Sequence, residues 1–200
     1  TTEDVDTLKT LYDTGETNAY TIVIPAGDAT SSTAAELNTI NSATSVAVNM
    51  NAVTALAASS LTALGTLATA ISNNEFSNGS NLTTIAVSDT AIAADTLAAR
   101  IDSYDTINGV STTGMTLASG ATISVSSEAE ITELLGDESN NRLTISDQNI
   151  TLDTGTMSVA NANLLAATTT GTITGSITTT ERVDTLKTLT ETHAYTIVIS

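Results

Sequence analysis

The sequence predicts an α/β repeat protein: an elongated, solenoid-like stack of short β-strands and short amphipathic helices. Three observations predict it. First, the chain returns on itself. VDTLKTL stands at residues 5–11 and again at 183–189, and AYTIVI stands at 19–24 and again at 194–199. Those thirteen identities follow Thr-Thr-Glu in both places, and only a loop shorter by three residues separates the copies in pattern. Second, short segments alternating Thr or Ser with aliphatic residues recur. They are TIVI at 21, SVAV at 45, TIAV at 84, TISV at 122, TMSV at 156 and TIVI at 196, with steps of 24, 39, 38, 34 and 40 residues. Periods of that size mark stacked supersecondary units. Third, the chain holds 42 Thr, 28 Ala, 21 Ser and 15 Asn, which is 106 of its 200 residues. Small side chains suit coils that pack closely on one another without aromatic bulk. The alternative is a mainly-β sandwich with a helical insertion at 50–72.

The elements follow in order. Val5/Leu8/Tyr12 form a one-sided helical stripe, repeated by Val183/Leu186/Leu189. After the strand at 21, Thr33-x-x-Glu36 is a capping box that opens a helix carrying Leu37 and Ile40. No charged side chain occurs from 37 to 74, and the longest helical reading covers 50–72. It carries Val53/Leu56 and then Leu61/Leu64/Ala68/Ile71, bent or broken near Ser59-Ser60 or at Gly65. Polar residues from Asn49 to Thr69 interrupt it, and no Lys or Arg lies between Lys9 and Arg100 to anchor an end. It therefore reads as a buried helical pair and not as a membrane span. Ile92/Leu97/Ile101 mark the next helix. Ser127-x-x-Glu130, a second capping box, opens another with Ile131/Leu134/Leu135. Further strands are read at MTLA 115, RLTIS 142, NITLD 149 and TITG 172, with turns at NG 108 and SG 119. Gly15, Gly136 and Gly171 sit where helices should stop in a left-handed residue.

This organisation makes residues 1–200 a single repeat-built domain with approximate units 21–44, 45–83, 84–121, 122–155 and 156–195. Segments 5–24 and 183–199 are its equivalent positions. Residue 1 is Thr, with no basic-then-apolar leader before it, so the chain reads as a processed product or a segment of something longer.

Charge narrows the partners. Twenty-two acidic residues against five basic ones give a formal net charge of −17. Such a surface repels nucleic acid and anionic lipid and stays soluble in a salty medium. At 40% hydrophobic residues and with abundant β-branched side chains, the chain is nonetheless too apolar to be a disordered acidic tail. The absence of Cys excludes a disulfide scaffold and thiolate metal sites.

Catalytic machinery is not legible. His193 is the single His, in a loop where the matching N-terminal segment has Asn18, and one His builds no transition-metal site alone. No G-x-S-x-G elbow accompanies it. The carboxylate pairs Asp102/Asp105, Glu128/Glu130 and Asp137/Glu138 lie near predicted helix ends, where acidic groups complement the macrodipole. Glycosidase chemistry needs such a pair in an aromatic-lined sugar cleft, and aromatics are 2% of this chain. The reading is therefore not an enzyme, with no catalytic, cofactor-binding or metal residue nominated. Calcium enters only as a structural clip in the loops 136–141 and 146–149, which supply hard oxygen ligands that turn chemistry alone also favours. Thr154-x-Thr156 and Thr172-x-Thr174 do not recur at the constant coil length an ice-binding face needs, and β-propensity accounts for them. Sequons stand at Asn78, Asn81 and Asn149. Tyr20 and Tyr195 are equivalent packing positions, and Lys9 and Lys187 are equivalent candidates for pairing with a nearby carboxylate.

Cys-free, aromatic-poor, Thr/Ala/Ser/Asp-rich units of the form TIxV, short helix, GTIT resemble the Thr/Ala-rich repeat segments of giant bacterial cell-surface proteins. The resemblance is to the S-layer-like and adhesin proteins of cyanobacteria and marine bacteria. The resemblance covers nearly the whole chain and is compositional; the calcium-binding nonapeptide GGxGxDxUx common in such proteins is not in this sequence. It implies an extracellular, cell-surface location and a structural or adhesive role. The expected function is a structural module of a surface layer, fibre or filament. Its partners are copies of itself or adjacent repeats of the same chain, joined head to tail through strand edges. The alternative is an adhesin segment that binds glycan or a surface and is stabilised by calcium.

Overall fold

The computed structural model describes residues 3–12, 17–108, 114–178, 182–190 and 193–197. Helix α1 (Val5–Leu8) runs into a 3-10 turn (Lys9–Tyr12), and a second such turn (Ala26–Asp28) precedes helix α2 (Ala34–Ser42). Strands β1 (Val48–Asn49) and β2 (Ala55–Ser59) come before helix α3 (Leu61–Ser72) and strand β3 (Phe76–Ser77). Strands β4 (Thr84–Val87) and β5 (Ala91–Ala93) lead into helix α4 (Ala94–Asn108), followed by β6 (Gly114–Thr116) and β7 (Thr122–Val125). Next come helix α5 (Glu128–Ser139), β8 (Leu143–Thr144), β9 (Asn149–Leu152), helix α6 (Val159–Thr168) and β10 (Ile173–Ile177). Helix α7 (Val183–Leu186) and β11 (Ala194–Ile197) complete the described chain. The class is α/β, with parallel sheets and short helices.

Two compact units emerge: Thr1–Ser88 with Arg100–Thr116, and Asp89–Ala99 with Leu117–Ser200. In the first, β2, β4 and β6 pair parallel in chain order, and β1 pairs parallel with β3. Leu56, Ile85 and Met115 stand in register there, all buried. The second unit holds a five-stranded sheet in the order β5-β7-β9-β10-β11, again parallel and in chain order. Ile92, Ile123, Ile150 and Ile173 align across it as a buried ladder, so the chain advances 31, 27 and then 23 residues between neighbouring strands. Each such Ile removed from water contributes about 1.5–3 kcal/mol. Thr122, Ser124, Asn149 and Thr151 take the alternate positions and stay half-exposed. That is the period-2 pattern the strand motifs predict.

The rungs are nearer in sequence than the strand motifs suggest. TIAV at 84 and TISV at 122 lie in different units and never pair. β4 joins β2 and β6, while β7 joins β5 and β9. Strands β2 and β5 read ALAAS and AIA, with no Thr-aliphatic alternation to mark them as rungs.

Three local expectations are corrected. Residues 50–72 are not a helical pair: residues 55–59 are strand β2, and only 61–72 are helix, with the Ser60 side chain accepting from the Ala63 amide as N-cap. Ala-rich sequence favours helix, but pairing with β4 buries Leu56, and tertiary context overrides propensity. Gly65 is a helix-interior residue, against which the Arg100 guanidinium packs. Gly136 lies inside α5 and Gly171 past the end of α6 without a positive φ, so neither ends a helix; Gly15 is outside the described residues. Asparagine does that work. Asn74 (φ 62°) and Asn141 (φ 58°) follow α3 and α5 in the left-handed region. Each closes a Schellman motif, Glu75 N–H to Ala70 O and Asn74 N–H to Ile71 O in the first, Arg142 N–H to Asp137 O and Asn141 N–H to Glu138 O in the second. Among the described residues, no helix is long and apolar enough to cross a membrane.

Candidate functional site

The helical part of the repeated segment takes the same local form in both copies. Helix α1 has caps at Asp4 (φ −65°, ψ 162°) and Lys9 (φ −65°, ψ −18°); α7 has caps at Arg182 (φ −75°, ψ 154°) and Lys187 (φ −64°, ψ −14°). In one, the Thr10 hydroxyl donates to Thr7 O; in the other, the Thr188 hydroxyl donates to Thr185 O. Lys9 Nζ sits 2.5 Å from Asp6 Oδ1, and Lys187 Nζ sits 3.2 Å from Asp184 Oδ1. Sequence dictates this much locally, because every one of these residues is shared except the N-cap.

Their surroundings differ. The N-terminal copy rests on a seat formed by residues 26–49. The Val5 N–H donates to Asp28 Oδ2 at 3.0 Å, and Lys9 Nζ reaches Glu36 Oε1 on α2 at 3.0 Å. Further along, Asn18 N–H donates to Ala43 O, and Asn18 O accepts from Ser45 N–H. The Thr44 hydroxyl donates to Tyr20 O, while Asn49 N–H donates to Ile22 O and Asn49 O accepts from Ile24 N–H. Val5, Leu8, Ile22 and Ile24 are all buried there. Burial pushes the Glu36 carboxyl up, but hydrogen bonds from the Thr33 amide, Lys9 and the Thr33 hydroxyl outweigh it and hold it below its usual range. The hydrogen bonds to Asp6 and Glu36 raise Lys9 above the usual ammonium value.

Among the described residues, the strand of the C-terminal copy pairs on one side. β11 pairs parallel with β10, from Thr174↔Ala194 to Ile177↔Ile197, and is the last strand of that sheet among the described residues. Tyr195 Oη donates to Ala162 O at 3.5 Å, and Asn163 bridges Thr188 O and the Thr190 amide. Val183 is 57% exposed where Val5 is 4%, and Ile197 is 44% exposed where Ile22 is fully buried. The Lys187 side chain is 70% exposed against 37% for Lys9. Val5 and Ile22 are thus covered where their counterparts Val183 and Ile197 are exposed.

Other sequence-flagged residues are committed to the scaffold. His193 Nδ1 accepts from the Ile173 amide at 3.3 Å, and its ring meets Tyr195 edge-on. Glu128 accepts from the Ser158 amide and from Asn161 Nδ2, both at 2.9 Å; hydrogen bonds from the Ser158 hydroxyl and amide and from Asn161 hold it below the usual carboxylate range. Glu130 accepts from the Ser126 amide, so Ser127 caps α5 without the reciprocal half of a capping box; Thr33 and Glu36 make both halves. Residues 136–139 are helical, and Asp137 is buried against Arg142 Nη2. Asp147 accepts from Ser119 Oγ and Gln148 Nε2. Asp102 and Asp105 lie on α4. Among the described residues, no three His, Cys, Asp or Glu side chains gather as metal ligands. The sequon asparagines bond the preceding rung, Asn78 to Asn49, Asn81 to Asn51 and Asn149 to Gly120 O.

An open groove of about 530 Å³ borders the seat, lined by Asn41, Ser42, Val46, Asn73, Asn74 and Glu75 among others. Its polar groups satisfy one another: Glu75 accepts from Asn41 Nδ2 and Asn73 Nδ2. The sequence reading missed the seat residues Asp28, Glu36, Thr44 and Asn49 as partners of the repeat, because they lie past its last matching residue, Ile24. Comparisons with protein-family models, with curated proteins and with solved structures each find no match to this chain.

Proposed function

We propose that this chain is a non-enzymatic structural module of an extracellular bacterial assembly, a surface layer, fibre or filament. Its rungs stack as a solenoid, and its copies join head to tail through strand edges. The observation that carries the reading is the segment repeated in sequence at 5–24 and 183–199, whose short helix takes the same form in both copies. An open strand edge is a template for pairing. Parallel pairing of successive strands in chain order supports the stack. So does the half-exposed outer row of Thr, Ser and Asn, since parallel sheets of doubly wound folds are covered on both faces. A contact between unlike ends builds an open filament wherever its rotation does not close a ring. The acidic composition fits a salty extracellular medium.

The polar groove beside the seat favours a second reading, an adhesin segment that holds glycan there. Negative-stain electron microscopy, with and without a calcium chelator, separates the two. The structural reading predicts filaments or sheets of regular repeat, and their loss on chelation would give calcium the role of a clip. Dispersed monomers in both conditions, together with retention on a glycan matrix, would replace it with the adhesin.

A further inference from the structure

The groove beside the seat carries one charged group, Glu75, and both of its carboxylate oxygens are engaged. Oε2 accepts from Asn41 Nδ2 at 2.6 Å and Oε1 accepts from Asn73 Nδ2 at 3.3 Å. A carboxylate only accepts, so each amide must turn its nitrogen towards Glu75. Those bonds use the nitrogen ends alone. Among the described residues, neither Asn41 Oδ1 nor Asn73 Oδ1 accepts a hydrogen bond. Asn74 stands beside them. The Schellman motif that ends α3 fixes its backbone at φ 62°, and its side-chain amide has no partner among the described residues. The groove therefore offers two oriented acceptors and one free amide on the ends of α2 and α3.

Its volume of about 530 Å³ lies within the range of small-molecule sites, about 300–1,000 Å³. Among the described residues that line it none is aromatic, and only Val46 and Ala47 are apolar, so a largely apolar ligand gains little. An anion meets Glu75 and the field of a chain of net charge −17. A cation meets amide N–H groups at both Glu75 oxygens, and must turn two amides round to reach a carboxylate free of them. A neutral polyol faces neither obstacle, because each hydroxyl donates to a carbonyl and accepts from an amide. We propose that this groove binds a neutral saccharide. Asn41 and Asn73 accept from its hydroxyls, Asn74 donates to them, and Glu75 holds the first two amides in place. Val46, 38% exposed, supplies an apolar contact for the C–H face of a sugar ring. Without an aromatic platform a single site binds weakly, and retention grows when several sites engage one polymer. This inference rests on the adhesin reading of the groove and names its ligand class and the residues that hold it.

The test is affinity electrophoresis of the full chain in gels cast with dextran, mannan or galactan, which are neutral, or with alginate, which is acidic. Slowed migration is expected in at least one neutral gel and not in alginate, unchanged by a calcium chelator. Asn74→Gly removes the free amide while keeping a residue at ease in the left-handed region. Glu75→Ala releases both oriented amides. Each should weaken the retention constant about tenfold, the effect of a lost hydrogen bond or two. Glu133→Ala takes the same charge from an exposed position on α5 and should leave retention unchanged. Urea midpoints confirm that each variant is folded. Retention untouched by Asn74→Gly and Glu75→Ala, confined to alginate, or lost with the chelator would overturn the neutral-saccharide site while leaving an adhesin standing. No retention in any gel would overturn both.

Discussion

Two glycines show what single residues decide here. Gly171 passes so close to the neighbouring rung that a Cβ would stand 2.1 Å from Gln148 O, a backbone atom that cannot step aside. Gly136 faces open space inside α5. Gly171→Ala is expected to destabilise by about 1–3 kcal/mol through overpacking. Gly136→Ala should stabilise by about 1 kcal/mol, because alanine is the better helix former. Urea midpoints check both, and an unchanged midpoint for Gly171→Ala would contradict the close approach. Sequence alone gave both residues the same role, as helix stops. It had no way to see that a carbonyl from 23 residues earlier lies against one of them. Nor did it weigh the asparagines, whose short amide side chains tolerate the left-handed region and end α3 and α5.

At the scale of elements, side chains from one helix secure an end of another. Glu128 at the start of α5 holds the Ser158 cap of α6, and Glu36 on α2 holds Lys9 after α1. Both carboxyls titrate below their usual value near 4.3. Their contribution is therefore complete above that value and is lost as pH falls through the lower, folded-state pKa. Chemical denaturation across the acid range should show this loss, and Glu128→Gln with Glu36→Gln should flatten it. Parallel acid limbs for wild type and variant would contradict the assignment. Strands were more legible than rungs. Alternation located β4, β7, β9 and β10, because one aliphatic row faces inward in each. The pairing order was hidden, since Ala-rich 55–59 looks helical until Leu56 meets Ile85.

For the whole molecule, the most informative feature was readable from the start: two copies of one segment. Only the structure shows that they differ in cover, with Ile22 enclosed and Ile197 bare. A net charge of −17 opposes contact between copies at low salt, so added salt should favour association by screening. The most direct test of head-to-tail self-association is sedimentation velocity of the full chain over a wide concentration range at moderate ionic strength. Head-to-tail joining predicts a ladder of species, each one module heavier and progressively more elongated, that grows with concentration and salt. A single monomeric boundary throughout the series would contradict it.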